Sequence, residues 1–211
     1  PMGGHDPYSS SKGCSELVSR AYRSSFFNPK NYKKHGVAIA TVRAGNVIGG
    51  GDWSQDRLIP NILTAFEKGK PVFIRNPDSI RPWQHVLESL RGCLMLSEKL
   101  MQKEVLFAEA WNFGPNEEDA KPVSWIADQM TTRWGEGAKW QKDNNEHPHE
   151  TNCLKLDISK VRSRLNWRPF LRLAEALNLI VDWVKLRNAG ADMRTETQNQ
   201  IAYYQNLIQK I

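Results

Sequence analysis

Asp6-Pro7-Tyr8-Ser9-Ser10-Ser11-Lys12-Gly13-Cys14-Ser15-Glu16 is the stretch from which the rest of the chain is read. Proline suits the first position of a helix, where its missing N–H would have had no partner anyway, and Asp6 before it is a good N-cap. Leu17, Val18, Ala21, Tyr22 and Ser25 follow at helical spacing, which predicts a helix over 7–27, ended by Asn28-Pro29. Tyr8 and Lys12 stand at i and i+4, on one face and a turn apart. A phenol ionises near pH 10, so making one a base near pH 7 takes roughly 4 kcal/mol of selective stabilisation of the phenolate. A nearby ammonium supplies part of that. A tyrosine so placed takes the proton from a hydroxyl while hydride leaves the same carbon. The spacing alone is weak evidence, and the surrounding residues decide its meaning.

Working outward, Val37-Ala38-Ile39-Ala40-Thr41-Val42-Arg43 reads as a strand buried on both faces. A glycine-rich loop, Ala44 to Trp53, follows it without the Gly-Lys-Ser/Thr of a P-loop. A helix is predicted from Leu58 to Lys68 and a strand at Val72-Phe73-Ile74. Residues 85–103 read as a helix with Val86, Leu90, Cys93 and Leu94 on its apolar face. Ala110 to Phe113 is a short strand ending at Gly114-Pro115, and 122–134 a helix opened by Pro122. Asp143 to Asn152 is polar and loop-like, Leu154-Lys155-Leu156 a brief strand, and Ser159 to Leu165 a short helix. Residues 171–188 form an amphipathic helix, and the tail 192–211 has faint helical spacing. Strands alternating with helices predict an α/β fold.

The 211 residues suffice for one large or two small domains, and 40% hydrophobic with 25% charged residues is an ordinary globular balance. No run approaches the roughly 18 apolar residues of a membrane span. Pro1 to Asp6 has neither the basic nor the apolar region of a signal peptide, so the cytoplasm is expected. Cys14, Cys93 and Cys153 are scattered and read as free thiols. The net charge of +6 suits a phosphate-bearing partner, while the scattering of the 29 basic residues argues against nucleic acid. His147 and His149 have no further ligand at suitable spacing, so no metal is expected.

The Tyr8 segment, with small residues between Tyr8 and Lys12 and Glu16 following, closely resembles the catalytic segment of extended short-chain dehydrogenase/reductases, the NAD-dependent epimerase/dehydratase family. Met2-Gly3-Gly4-His5 resembles its CDP-glucose 4,6-dehydratase branch. Arg43-Ala44-Gly45-Asn46-Val47-Ile48-Gly49 matches the family's Arg-x-x-Asn-Val-x-Gly segment. That implies Arg43, Ala44 and Gly45 near the nicotinamide, with Tyr8 and Lys12, and Asn46 on the nucleotide sugar. Arg57, Leu58, Ile59 and Asn61 match the segment that lies along the nucleotide base. Ile80-Arg81-Pro82-Trp83-Gln84-His85-Val86 matches Arg-x-Trp-x-x-Val, whose arginine grips the diphosphate, a role suited to a planar guanidinium. Asn112 matches a substrate-contacting asparagine at a strand end. His149 and Glu150, followed by Leu154 to Asp157, resemble the late substrate loop of the CDP-glucose branch. Leu165-Asn166-Trp167-Arg168-Pro169 resembles a packing turn near the family's C-terminus.

The resemblance runs from residue 1 to about 188. It implies a Rossmann-like doubly wound parallel sheet, here only its C-terminal part, with a smaller α/β substrate-binding domain. Residues 1–57 would close the NAD-binding domain, 58–188 would mainly bind the nucleotide sugar, and 189–211 would be a tail. The family's Gly-x-x-Gly-x-x-Gly and Ser/Thr-Asp-Lys segments are absent from this sequence, so the chain is expected to be a piece of a longer enzyme. The implied reaction turns CDP-glucose into CDP-4-keto-6-deoxyglucose with NAD as cofactor, Tyr8 as base and Lys12 as its electrostatic partner. No membrane partner is expected, and a homodimer, or a dimer of dimers, formed through the Tyr8 helix is. Another epimerase or dehydratase of the family, such as a dTDP-glucose dehydratase, remains open, as does a non-catalytic remnant that binds nucleotide sugars.

Overall fold

A computed structural model describes residues 3–4, 6–145 and 152–210. The elements run α1 (Pro7–Ser25), α2 (Tyr32–His35), β1 (Thr41–Ala44), β2 (Asn46–Ile48), α3 (Leu58–Glu67), β3 (Val72–Ile74), β4 (Trp83–His85) and α4 (Val86–Met101). They continue with β5 (Ala110–Phe113), α5 (Val123–Trp134), β6 (Trp140–Lys142), α6 (Ser159–Leu165), α7 (Leu173–Asn188) and α8 (Met193–Gln209). The strands pair in parallel as β1 with β5, β2 with β4 and β3 with β6. Helices alternate with these parallel strands, as the sequence predicts.

Gly45 explains how one stretch of chain serves two pairs. It separates β1 from β2, and a Cβ there would lie 2.1 Å from the Pro82 carbonyl oxygen. Only glycine allows so close an approach. The chain bends there, leaving β5 for β4, and Asn46 N–H donates to that same carbonyl at 2.9 Å. Gln84 holds the two pairs together by donating to Phe113 O at 2.7 Å.

Two cores form. Ile59, Ile62, Leu63 and Phe66 of α3 meet Ile126 and Met130 of α5 and Leu177 and Ile180 of α7. Beyond Gln84, Trp111 and Phe113 of β5 meet Leu96, Val161, Leu165 and Trp167. The turn after α6 behaves as expected: Asn166 takes the left-handed conformation, and Trp167 packs edge-on to Phe113 at 5.0 Å.

Five sequence expectations need correction. The glycine-rich loop read from Ala44 to Trp53 contains strand β2, which pairs with β4 from far along the chain. The strand predicted from Val37 starts only at Thr41 and is mostly exposed, because β5 is its sole partner among the described residues. Leu154–Leu156 forms no strand, although Leu154 N–H donates to Ile80 O. Helix α4 turns a different face inward: Glu88, Ser89, Gly92 and Leu96 are buried, while Leu90 and Leu94 are 51% and 71% exposed. Gly92 sets that face, since a Cβ there would meet the Phe113 ring at 2.4 Å. The tail, finally, is a full helix, docked through buried Tyr204.

Buried Glu88 joins three elements. Its Oε1 accepts the Phe170 and Leu171 N–H groups and its Oε2 the Tyr204 hydroxyl, each at 2.7 Å. Arg91 donates to Tyr204 Oη at 3.0 Å and lies over the Phe170 ring at 4.7 Å. Burial raises the Glu88 carboxyl above the usual range despite these donors.

His85 caps α4, its Nδ1 accepting Leu87 N–H, and is 3% exposed. Burial lowers its pKa to about 4 from an ordinary 6.5. The unfolded chain therefore takes up the proton first as pH falls. The stability due to neutral His85 is full above pH 6.5 and is lost on the way down to about pH 4. At 1.36 kcal/mol per unit this amounts to about 3 kcal/mol. Urea unfolding between pH 7 and pH 4 should show that much less loss in His85→Asn than in wild type. Equal losses would show that His85 does not titrate this way.

Candidate active site

Helix α1 starts where the sequence places it. Asp6 caps it, accepting Ser9 N–H at 2.9 Å and the Ser9 hydroxyl at 2.6 Å. These bonds from Ser9 hold the Asp6 carboxyl below its usual range. Ser10 Oγ donates to Gly4 O at 3.0 Å, which ties the entering chain to the first turn. The Tyr8 phenol is 72% exposed, and Lys12 Nζ lies 5.5 Å from the centre of its ring.

Glu16 continues the Tyr8–Lys12 stripe one turn on. Its carboxylate accepts the Thr41 hydroxyl at 3.0 Å and pairs with Arg43 Nε at 3.2 Å. The stripe is thereby anchored to β1, with about 12 Å of helix between Glu16 and Tyr8. The sequence showed that a glutamate follows the pair but not what it holds.

Arg43 lies opposite Asn112 in the β1–β5 register. Asn112 donates from Nδ2 to Asp157 O at 3.1 Å, and its Oδ1 is buried with no hydrogen-bond partner among the described residues. Asn46 and the Arg81-Pro82 segment come together at the Gly45 bend. Arg81 is half-buried, with Nη1 donating to Ile80 O at 3.0 Å. Ala44 closes β1 opposite Phe113. Ligands of open parallel sheets characteristically bind where neighbouring strands diverge, and the Gly45 bend is such a place.

The base-side residues sit at the start of α3. Arg57 precedes the helix and pairs with Asp52 at 3.3 Å; Leu58 is half-buried and Asn61 exposed. Ile59 is 3% exposed and belongs to the core, so its side chain seats the helix rather than meeting a ligand. His149 and Glu150 lie outside the described residues.

A cleft of about 490 Å³ lies beside the Arg81-Pro82 segment, lined by Pro82, Pro115, Asn116, Leu156, Asp157 and Arg162 among others. Lys155 and Glu117 face each other across part of it at 2.7 Å. Arg162 escapes the sequence reading, and Gln84 and Asp157 stand inside its motifs without a role of their own, because only tertiary contact shows what they meet.

Residues 1–114 match the model of the NAD dependent epimerase/dehydratase family. The chain belongs to that family. It is 55% identical over 97% of its length to the CDP-glucose 4,6-dehydratase of Salmonella typhimurium, and spans 57% of that protein. Among solved structures, UDP-glucuronic acid 4-epimerase from Bacillus cereus, in complex with UDP-glucuronic acid and NAD, matches with a TM-score of 0.71 and 21% identity. That match covers 88% of this chain and 53% of the epimerase. The dTDP-glucose 4,6-dehydratase of Bacillus anthracis, in complex with NAD, gives 0.63 and 23%, covering 88% of this chain and 54% of that one. At such identities the likeness is one of fold, and it places the parallel strands and helices within the family's Rossmann-like architecture. The chain spans little more than half the length of these epimerase/dehydratase relatives.

Proposed function

We propose that this chain is the C-terminal part of a cytoplasmic CDP-glucose 4,6-dehydratase, a hydro-lyase serving deoxysugar synthesis for surface polysaccharides such as O-antigen. Residues 1–57 would complete its NAD-binding domain, residues 58–188 would mainly bind the nucleotide sugar, and 189–211 would form a docked tail. The observation that carries the reading is the Tyr8–Lys12–Glu16 stripe anchored to β1 through Arg43. The 55% identity to the Salmonella dehydratase favours the CDP-glucose branch over the dTDP-glucose one.

The donor set suits the nicotinamide end of NAD: an exposed phenol backed by an ammonium, on a helix tied to the strand that ends at the Gly45 bend. Tyr8, Lys12, Arg43, Ala44 and Gly45 would hold that end. When bound, NAD would supply the hydride acceptor for sugar C4 and the hydride donor for C6, the latter matched by a proton added at C5. Tyr8 Oη takes the proton of the C4 hydroxyl as that hydride leaves, and Lys12 stabilises the phenolate. The resulting C4 ketone acidifies C5–H, and water is lost across C5 and C6. By the family resemblance, the acid and base for that loss belong to a segment upstream of Tyr8.

Asn46 and Asn112 would orient the sugar, the Asn112 Oδ1 having no hydrogen-bond partner among the described residues. Arg57, Leu58, Asn61 and the α3 backbone at Ile59 would line the base, with His149 and Glu150 as further substrate contacts that the family resemblance implies. Arg81 would grip the diphosphate. The exposed Leu17, Val18 and Tyr22 of α1, with Phe26 at its C-cap, favour a homodimer through that helix.

Arg81→Ala in the full-length protein should weaken CDP-glucose binding by roughly 1.5–3 kcal/mol, as loss of a charged hydrogen-bonding partner does. Calorimetry measures this, and competition among CDP-glucose, dTDP-glucose and UDP-glucose tests the base. Unchanged affinity removes Arg81 from the site, and preference for dTDP-glucose assigns the wrong branch.

A further inference from the structure

The segment from Gly49 to Arg57 links Asn46 to the start of α3, the two places that the proposed function assigns to the nucleotide sugar. Its course is set from outside. A Cβ on Gly49 would meet Val86 Cγ1 at 2.8 Å. A Cβ on Gly50 would lie 2.5 Å from two ring carbons of Trp183, a residue of α7. Gly51 turns with φ at +79°, and its Cβ position is 3.6 Å from the far edge of the same indole. The chain then folds Trp53 back over Trp183, with ring centres 6.5 Å apart. Arg187, one turn further along α7, lies over the Trp53 ring at 4.2 Å and pairs with Glu67 of α3.

The indole is itself held. Trp183 Nε1 donates to Thr197 Oγ1 of α8 at 3.1 Å, and that hydroxyl donates to Met193 O at 2.7 Å. Backbone at Gly50 and Gly51, the Trp53 ring and α8 thus all meet on one half-buried side chain.

We infer that Trp183 is a positioning residue for nucleotide-sugar binding: its indole is the floor on which the Gly49–Arg57 segment rests, and it fixes Asn46 relative to Arg57 and Asn61. The inference rests on the proposed function for its ligand and on geometry alone for the clamp. Trp183 would act without touching substrate. It acts through the two glycines, whose missing side chains leave room for it.

The test uses full-length protein and a double-mutant cycle. Gly50→Ala should weaken CDP binding about tenfold or more, because the added methyl displaces the segment from the indole. In a Trp183→Ala background the same change should cost less than about threefold, since the obstacle is gone. Hydrogen exchange of the unliganded protein gives a second readout. Trp183→Ala should speed exchange of amides 51–58 about tenfold while leaving α5 unchanged, an effect that global destabilisation would not confine to the segment. Thr197→Val, which removes only the indole's hydrogen bond, should show the same pattern more weakly. Equal Gly50→Ala effects in both backgrounds, or unchanged exchange at 51–58, would overturn the clamp. Wild-type protein that fails to bind CDP would instead refute the dehydratase reading, and the exchange result would still decide the clamp.

Discussion

Tyr8→Phe in the full-length protein lowers turnover of CDP-glucose by roughly 10²- to 10⁴-fold, the range supplied by a positioned acid–base group. Affinity for the nucleotide sugar barely moves. Only the phenol oxygen is removed, and the ring is 72% exposed, so no core packing is lost. The groups proposed to hold the nucleotide sugar, Asn46, Arg81 and Asn112, lie outside α1 and stay in place. Steady-state rates with binding measured by calorimetry separate the two effects. Normal product formation by the variant would remove Tyr8 from the chemistry. A parallel loss of binding and turnover would show that it holds substrate instead.

The largest effect on folding is expected at Glu88. Glu88→Ala leaves the Phe170 and Leu171 N–H groups and the Tyr204 hydroxyl without their acceptor, two of them on the turn that seats Trp167. Each buried group left unpaired costs about 1–3 kcal/mol, so the variant should lose about 3 kcal/mol or more of a total near 5–15. Tyr204→Phe removes one of these bonds together with the one that Arg91 donates to the same hydroxyl, and should lose about 1–2 kcal/mol. Urea denaturation of both variants measures the difference. A loss of 1 kcal/mol or less in Glu88→Ala would mean that the turn and α8 dock without the carboxylate.

Much of this was legible in the sequence where a local rule applied. Asp6-Pro7 marks the start of α1, and Pro122 the start of α5, because caps and proline act within one turn. The sequence also predicts α3 and α7, both of which bury an apolar stripe. Periodicity failed on α4, because counting apolar residues cannot foresee a buried Glu88 or a Gly92 chosen by the Phe113 ring. The strands β2, β4 and β6 escape the sequence reading: Asn46–Ile48 reads as part of a glycine-rich loop, Trp83–His85 and Trp140–Lys142 lack the apolar run that marks Val72–Ile74, and each strand's partner lies far off in sequence. Site residues followed the same division. Tyr8, Lys12, Asn46, Arg81 and Asn112 stand in short motifs. The contacts of Glu16 with Arg43, of Gln84 with Phe113 and of Trp183 with Gly50 exist only once the chain is folded.

The central claim is tested most directly by giving the full-length protein CDP-glucose deuterated at sugar C4 and following the product by NMR. The account predicts a 4-keto-6-deoxy sugar, still attached to CDP, with the deuterium at C6, because the hydride removed beside Tyr8 returns there. A C4 epimer that has lost no water, a product with no deuterium at C6, or no conversion at all would contradict it.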